Sequence, residues 1–251
     1  MMIIAHRGAS GTAPENTLAA FRMAIDLDAD WLELDVCASR DGEVVVIHDD
    51  TLERTTDGKG RACDFTLAQL KHLDAGRWFH RRFTGEQIPT LREVLSLAKA
   101  RGVGLLIEMK TGSHLGHGFE EKVTSLLAGA GLLHRSFVMS FNHAAVLRAK
   151  GAEPKLRTLL LIGKRVRLNR LADAVHAHRA EGISVKESLA SKKLVETMRA
   201  NGLIVVVWTV NPVGAMKRFL ARDVDGITTN YPERLVKLLS KAANKGKTAS
   251  S

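Results

Sequence analysis

The chain has 251 residues, 45% of them hydrophobic and 25% charged, with 37 basic against 27 acidic side chains and a formal net charge of +10. That length and apolar content suit one domain with a large core and exclude a disordered or fibrous chain. With two cysteines a disulfide framework is excluded, leaving at most one bridge between Cys37 and Cys63, and without an 18-residue apolar run there is no spanning helix and no stable membrane insertion is expected.

Met2-Ile3-Ile4-Ala5 reads as a short buried strand that stops at His6-Arg7-Gly8, where Gly8 permits a sharp turn. Pro14-Glu15-Asn16-Thr17 then opens a helix, with Pro in the first turn and Glu near the positive end of the dipole. Leu18, Phe21, Ala24 and Ile25 follow at helical spacing. Trp31 to Val36 is the second strand, and because side chains alternate with period two, Glu33 and Asp35 share a face. Val44 to Ile47 is a third, joined to it across the hairpin signal Asp41-Gly42. Six residues separate Val36 from Glu43, too few for a parallel crossover, so this pair is antiparallel. A two-residue turn at Asp41-Gly42 would set Asp35 directly across from His48; a longer turn moves the match by a residue or two.

Taken singly, these residues have plain structural readings: a strand-end histidine is commonly held by a hydrogen bond, and an acid pair on an edge is solvated. Together they point to chemistry. Clustered carboxylates repel unless a cation sits among them, and a divalent metal resolves that repulsion.

His6-Arg7-Gly8, Pro14-Glu15-Asn16-Thr17, Glu33-x-Asp35, Asp41-Gly42 and His48-Asp49 together resemble the signature of the glycerophosphodiester phosphodiesterase family in its bacterial, cytoplasmic type. Their spacing and much of the remaining chain fit as well. The start, Met1-Met2-Ile3-Ile4-Ala5-His6-Arg7, lacks a secretory h-region, so a cytoplasmic location is expected.

Past Asp50, residues 51 to 89 are polar and form an insertion after the third strand, with Leu67, Leu70 and Leu73 on a short helix. Trp78, Phe79 and Phe83 either pack this insertion onto the body or line the site. Thr90-Leu91-Arg92-Glu93 is a capping box, and its helix runs to a stop at Gly102. The strand from Val103 to Met109 leads into Lys110, so Glu108 and Lys110 lie on one face, an ion pair on plain reading.

The pattern then repeats. Helices are expected over 119–128, 143–150, 169–180, 191–200, 212–221 and 232–241, with strands over 136–141, 156–162, 182–186, 203–209 and 225–228. Gly131, Gly151, Gly182 and Gly202 mark helix stops. Alternating strands and helices predict an α/β fold, a TIM (β/α)8 barrel over residues 1–241, with 242–251 as a solvated basic tail. Nine strands are counted where a barrel needs eight; the hairpin accounts for the surplus. In such a barrel functional residues gather at the C-terminal strand ends. His6, Asp35, Glu108, Lys110, Ser140-Phe141, Lys186 and Trp208 fall there.

The net charge comes mainly from two acid-free stretches, Lys164, Arg165, Arg167 and Arg170 in one and Arg234, Lys237, Lys241, Lys245 and Lys247 in the other, so the body is nearly neutral. With aromatics at 5%, no nucleic-acid partner is expected. The loop 163–169 opens on the barrel rim, as a solvated loop or as an attractor of anionic substrates.

The resemblance implies metal-dependent hydrolysis of a small-molecule glycerophosphodiester to sn-glycerol 3-phosphate and an alcohol. It assigns Glu33, Asp35 and Glu108 to one divalent cation, Arg7 and Lys110 to phosphate, and Trp208 to an aromatic wall facing glycerol, with burial in the barrel as the structural alternative for Trp208. His6 and His48 titrate near neutrality and suit general acid and base. All-oxygen ligation favours Mg²⁺ or Ca²⁺ over zinc. Alternatives are a phospholipase D-like enzyme acting on lysophospholipids, and a non-catalytic binder of anionic lipid or phosphate. Relatives often place Asp where this chain has Asn230, which would change a hydrogen bond but none of the proposed ligands.

Overall fold

A computed structural model describes residues 1–110 and 118–248, with side chains described as far as Lys241. Eight parallel strands close into a barrel: β1 (Met2–His6), β2 (Trp31–Ala38), β4 (Gly104–Met109), β5 (Ser136–Ser140), β6 (Arg157–Ile162), β7 (Gly182–Lys186), β8 (Ile204–Trp208) and β9 (Gly226–Thr229). Closure comes from β1, which pairs with both β9 and β2. The surplus strand, β3 (Val44–Val46), pairs antiparallel with β2, as the short connection requires, and Val45 bridges to Thr90 on its other side.

The helices are α1 (Leu18–Asp26), α2 (Leu67–Lys71), α3 (Leu91–Arg101), α4 (Phe119–Ala130), α5 (His143–Ala152), α6 (Leu168–Ala177), α7 (Lys192–Ala200), α8 (Val213–Leu220) and α9 (Pro232–Thr248). Alternation along each strand sorts the core into layers. On β2, Leu32, Leu34 and Val36 join the helix-facing core, as do Leu105, Ile107 and Met109 on β4. The barrel interior holds Ile4, Leu106, Phe137, Met139, Leu159, Leu161 and Val206. Residues of the insertion make a small core of their own with Cys37, Val45 and Ile47, which seats it above the hairpin. Its rings Trp78, Phe79 and Phe83 pack edge to face on one another instead of entering that core.

Several boundaries differ from the sequence expectation. α1 begins at Leu18 with Thr17 as its N-cap, so Pro14, Glu15 and Asn16 precede the helix. Asn16 has φ +57°, a left-handed conformation that no helix start accommodates. Gly102 and Gly131 close α3 and α4 as expected. Gly151 lies inside α5, however, and Gly182 is the first residue of β7, α6 having stopped at Ala177. α9 continues to Thr248, beyond the end expected at 241, and residues 249–251 of the expected tail lie outside those described.

The hairpin register is one residue off the two-residue-turn prediction. Val36 pairs with Val46 and Cys37 with Val45, so Asp35 faces Ile47, not His48; the Ile47 amide donates to the Asp35 carbonyl at 3.1 Å. The loop has three residues, Arg40, Asp41 and Gly42, with Gly42 at φ +76°. Ser39 Oγ decides it, donating to Asp41 Oδ1 at 2.6 Å and accepting from the Glu43 amide at 2.9 Å, which stabilises the left-handed third position typical of three-residue hairpins. His48 lies just past the strand, where pairing no longer fixes its direction.

Candidate active site

Adjacent strands bring the acids together by register. His6 on β1 pairs with Glu33 on β2, and Asp35 pairs with Glu108 on β4, so the four residues share the interior face near the C-terminal strand ends. Glu33, Asp35 and Glu108 are all buried, and each offers an oxygen within 4.8 Å of the others.

Two cations reach this cluster. Arg7, held at φ +56°, donates its amide to Glu33 Oε2 at 2.8 Å. Its guanidinium pairs with Glu15 through Nη1 at 2.8 Å, while Nε lies 3.3 Å from Asp35 Oδ2, an ion contact without hydrogen-bond alignment. Lys110 Nζ donates to Glu108 at 2.9 Å and reaches Asp35 at 3.5 Å. The expected Glu108–Lys110 ion pair therefore exists, with one Nζ donor unused among the described residues.

Three carboxylates against two cations leave a strained charge balance. Burial pushes Glu33 well above the ordinary carboxylate range, and the charges on Asp35 and Glu108 add to that. Burial likewise raises Glu108, with Asp35 next. Burial also opposes ionisation of Asp35, but Arg7, Lys110 and His48 outweigh it and hold Asp35 below its usual value. Without a further cation the cluster favours retaining a proton; a hard divalent cation would take the place of that proton, and an all-carboxylate donor set fits one.

His6 is fixed from the far side of the barrel seam. Its Nδ1 lies 2.7 Å from Asn230 Oδ1, just past β9, and Asn230 is itself anchored by its amide donating to Asn211 Oδ1 at 2.9 Å. An amide oxygen can only accept, so Nδ1 carries the hydrogen and Nε2 is left as a lone pair. Burial, with the nearby Arg7 charge second, lowers the His6 pKa to about 4. This corrects the expectation that His6 titrates near neutrality: its surroundings keep it neutral. His48 Nδ1 lies 2.5 Å from Asp49 Oδ1, and Asp49 is gripped in turn by Arg54, which also clamps Glu15 with two bonds of 2.8 Å. The link from His48 to the acids is the effect of its charge on Asp35.

Trp208 ends β8, partly exposed, its ring edge-to-face on Phe141 at 5.9 Å and its Nε1–H without a partner among the described residues. It packs on the barrel core at one side, as the burial reading expects in part. The basic loop 163–169 is on the same rim. Cys37 and Cys63 are both free thiols.

Sequence reasoning missed Asn16 as a site residue. Its Nδ2 donates to Asp35 Oδ2 at 2.9 Å and its Oδ1 accepts from the Asp35 amide at 3.3 Å. The Pro-Glu-Asn-Thr run carried that signal but reads locally as a helix start. Glu15 and Arg54 were missed too, since their pairing spans 39 positions.

Residues 6–234 match the model of the glycerophosphoryl diester phosphodiesterase family. A glycerophosphodiester phosphodiesterase of Caldanaerobacter subterraneus is 41% identical over 243 residues, spanning 96% of this chain and 98% of that one. The structure of an Oleispira antarctica phosphodiesterase in complex with the product sn-glycerol-3-phosphate superposes with a TM-score of 0.85 at 31% identity, covering 94% of this chain and 96% of that one. A glycerophosphodiester phosphodiesterase structure from Agrobacterium tumefaciens superposes with a TM-score of 0.80 at 30% identity, over 92% and 97% of the respective chains.

Proposed function

This chain belongs to the glycerophosphoryl diester phosphodiesterase family, and from that membership we propose that its barrel mouth hydrolyses glycerophosphodiesters to sn-glycerol 3-phosphate and an alcohol, with one divalent cation at Glu33, Asp35 and Glu108. The observation that carries this reading is the buried carboxylate triad set beside an imidazole whose Nε2 has no hydrogen-bond partner among the described residues.

A phosphodiester is a stable monoanion, so cleavage requires neutralised phosphoryl oxygens, a deprotonated nucleophile and a protonated leaving oxygen. A cation bound by the triad supplies Lewis acidity and charge neutralisation. Mg²⁺ and Ca²⁺ both suit the all-oxygen set. Lys110 and Arg7 add positive charge at the phosphoryl oxygens.

His6 acts as the base. It is neutral at physiological pH, and Asn230 fixes the tautomer that leaves Nε2 ready to accept the proton of the attacking hydroxyl. In line with the family resemblance, that hydroxyl is the glycerol 2-OH, whose attack on phosphorus gives a cyclic phosphate and releases the alcohol; water opens the cyclic phosphate in the second step. His48, its Nδ1 held by Asp49, presents Nε2 to protonate the departing alkoxide, and the two histidines exchange roles when water opens the cyclic phosphate. A binding protein would need no base-ready His6, which disfavours the non-catalytic alternative.

Release of sn-glycerol 3-phosphate from glycerophosphocholine, glycerophosphoethanolamine and glycerophosphoglycerol tests the reading. The wild-type chain turns these over with Mg²⁺ or Ca²⁺, while His6→Ala and His48→Ala each fold normally and lose about 10²- to 10⁴-fold in kcat. Near-wild-type turnover in either variant removes that histidine from the chemistry.

A further inference from the structure

His48 follows β3, where strand pairing no longer fixes its direction, so side chains must aim it. Its Nδ1 meets Asp49 Oδ1 at 2.5 Å, and the other oxygen of Asp49 accepts from Arg54 Nε at 2.5 Å. Arg54 then forks onto Glu15, Nη1 to Oε2 and Nη2 to Oε1, each at 2.8 Å, and Glu15 Oε1 also accepts from Arg7 Nη1 at 2.8 Å. An unbroken chain of alternating charge thus runs from His48 to Arg7. We propose that Arg54 is a positioning residue for departure of the alcohol: through Asp49 it aims the His48 imidazole at the leaving oxygen, with Glu15 as its anchor on the body of the barrel.

The geometry is that of a fixed fork. Although the Arg54 side chain is 44% exposed, all three guanidinium nitrogens donate to carboxylates, and two parallel bonds to one carboxylate set the plane of the group as well as its distance. The fork works from a seated backbone. Leu52 is fully buried, Thr55 and Thr56 are buried, the Leu52 amide donates to the Gly60 carbonyl at 3.0 Å, and both the amide and the hydroxyl of Thr56 donate to the Leu52 carbonyl, at 3.0 and 2.7 Å. The charges give the clamp a chemical consequence. The Arg54 hydrogen bond, helped by His48 and opposed by burial, holds the Asp49 carboxyl well below its usual value, so Asp49 stays an anion that only accepts. His48 Nδ1 therefore keeps its hydrogen in either protonation state, and proton transfer is confined to Nε2.

The inference rests on the diesterase reading above and on His48 as the acid of its first step. A residue that only ties the insertion down would slow every substrate alike; one that aims the acid matters only where the leaving oxygen needs a proton. The test compares kcat/KM for alcohol release, which reports on the first step, between glycerophosphocholine, whose choline alkoxide must be protonated, and glycerophospho-p-nitrophenol, whose phenolate departs without a proton. Arg54→Gln is expected to lose about 10²-fold on the choline diester, the effect of misplacing a catalytic group by about 1 Å, and to stay within about threefold on the nitrophenyl diester. Arg54→Lys keeps the charge without the fork, shows the same selectivity at smaller amplitude, and decides the matter if the glutamine variant does not fold. His48→Ala is the reference, with the same selectivity at about 10²- to 10⁴-fold. Equal losses on the two diesters in the Arg54 variants, or wild-type turnover of the choline diester, overturn the Arg54 assignment while selectivity in His48→Ala leaves the diesterase reading standing. Loss of selectivity in His48→Ala removes the acid role and this inference with it, and no turnover of either diester by the wild-type chain overturns the diesterase reading as well.

Discussion

Asn16 and Asp35 clasp one another at two points, side-chain amide to carboxylate at 2.9 Å and backbone amide to side-chain oxygen at 3.3 Å. The clasp explains why residue 16 adopts φ +57°: asparagine tolerates the left-handed region better than most residues, and only there does its side chain reach β2. It fixes the Asp35 carboxylate through Oδ2, while Lys110 Nζ reaches Oδ1 at 3.5 Å.

Asn16→Gly keeps the backbone conformation and removes the clasp. Cation affinity is expected to fall about 10- to 100-fold, the usual cost of losing a partner that orients a ligand, with the fold retained. Calorimetric titration with Mg²⁺ or Ca²⁺ measures it; wild-type affinity would show that Asp35 is oriented by its neighbours on the sheet alone.

The neutral partner of His6 sets a pH prediction. The folded chain protonates His6 only near pH 4, whereas an unfolded chain does so near the ordinary histidine value of 6.5. Stability is therefore lost as pH falls through that window, and the acidic limb of kcat/KM lies well below 6.5. Asn230→Asp places a negative charge at Nδ1, favours the imidazolium, and moves the limb upward by roughly one pH unit or more. A profile that stays put in the variant would mean that another group sets the limb.

The two thiols should behave differently. Cys37 is buried between β2 and the insertion, and burial pushes its pKa up to about 12, whereas Cys63 is partly exposed. One equivalent of thiol is expected to react with a disulfide reagent at pH 8 in the native state, and two after unfolding. Two fast equivalents in the native state would show that the insertion opens readily.

The barrel was legible because its strands are short apolar runs alternating with capped helices, and because the acids of β2 follow period-two alternation. What escaped a linear reading was tertiary. Gly151 and Gly182 look like helix stops until the chain is seen to pass through one and begin a strand at the other. The hairpin register turned on a single hydroxyl, Ser39 Oγ, which traded a two-residue turn for three. His6 was recognisable as a site residue, but its low pKa depends on burial that no local pattern encodes. Asn16 was hidden because its partner lies 19 residues away on another element.

Diester cleavage is expected to depend on a divalent cation held by Glu33, Asp35 and Glu108. Release of sn-glycerol 3-phosphate from glycerophosphocholine is followed first in excess EDTA and then after adding back Mg²⁺ or Ca²⁺. Turnover is expected to vanish with the chelator, return with the cation, and not return in Glu108→Gln. Full turnover in EDTA would show that cleavage needs no cation at the triad.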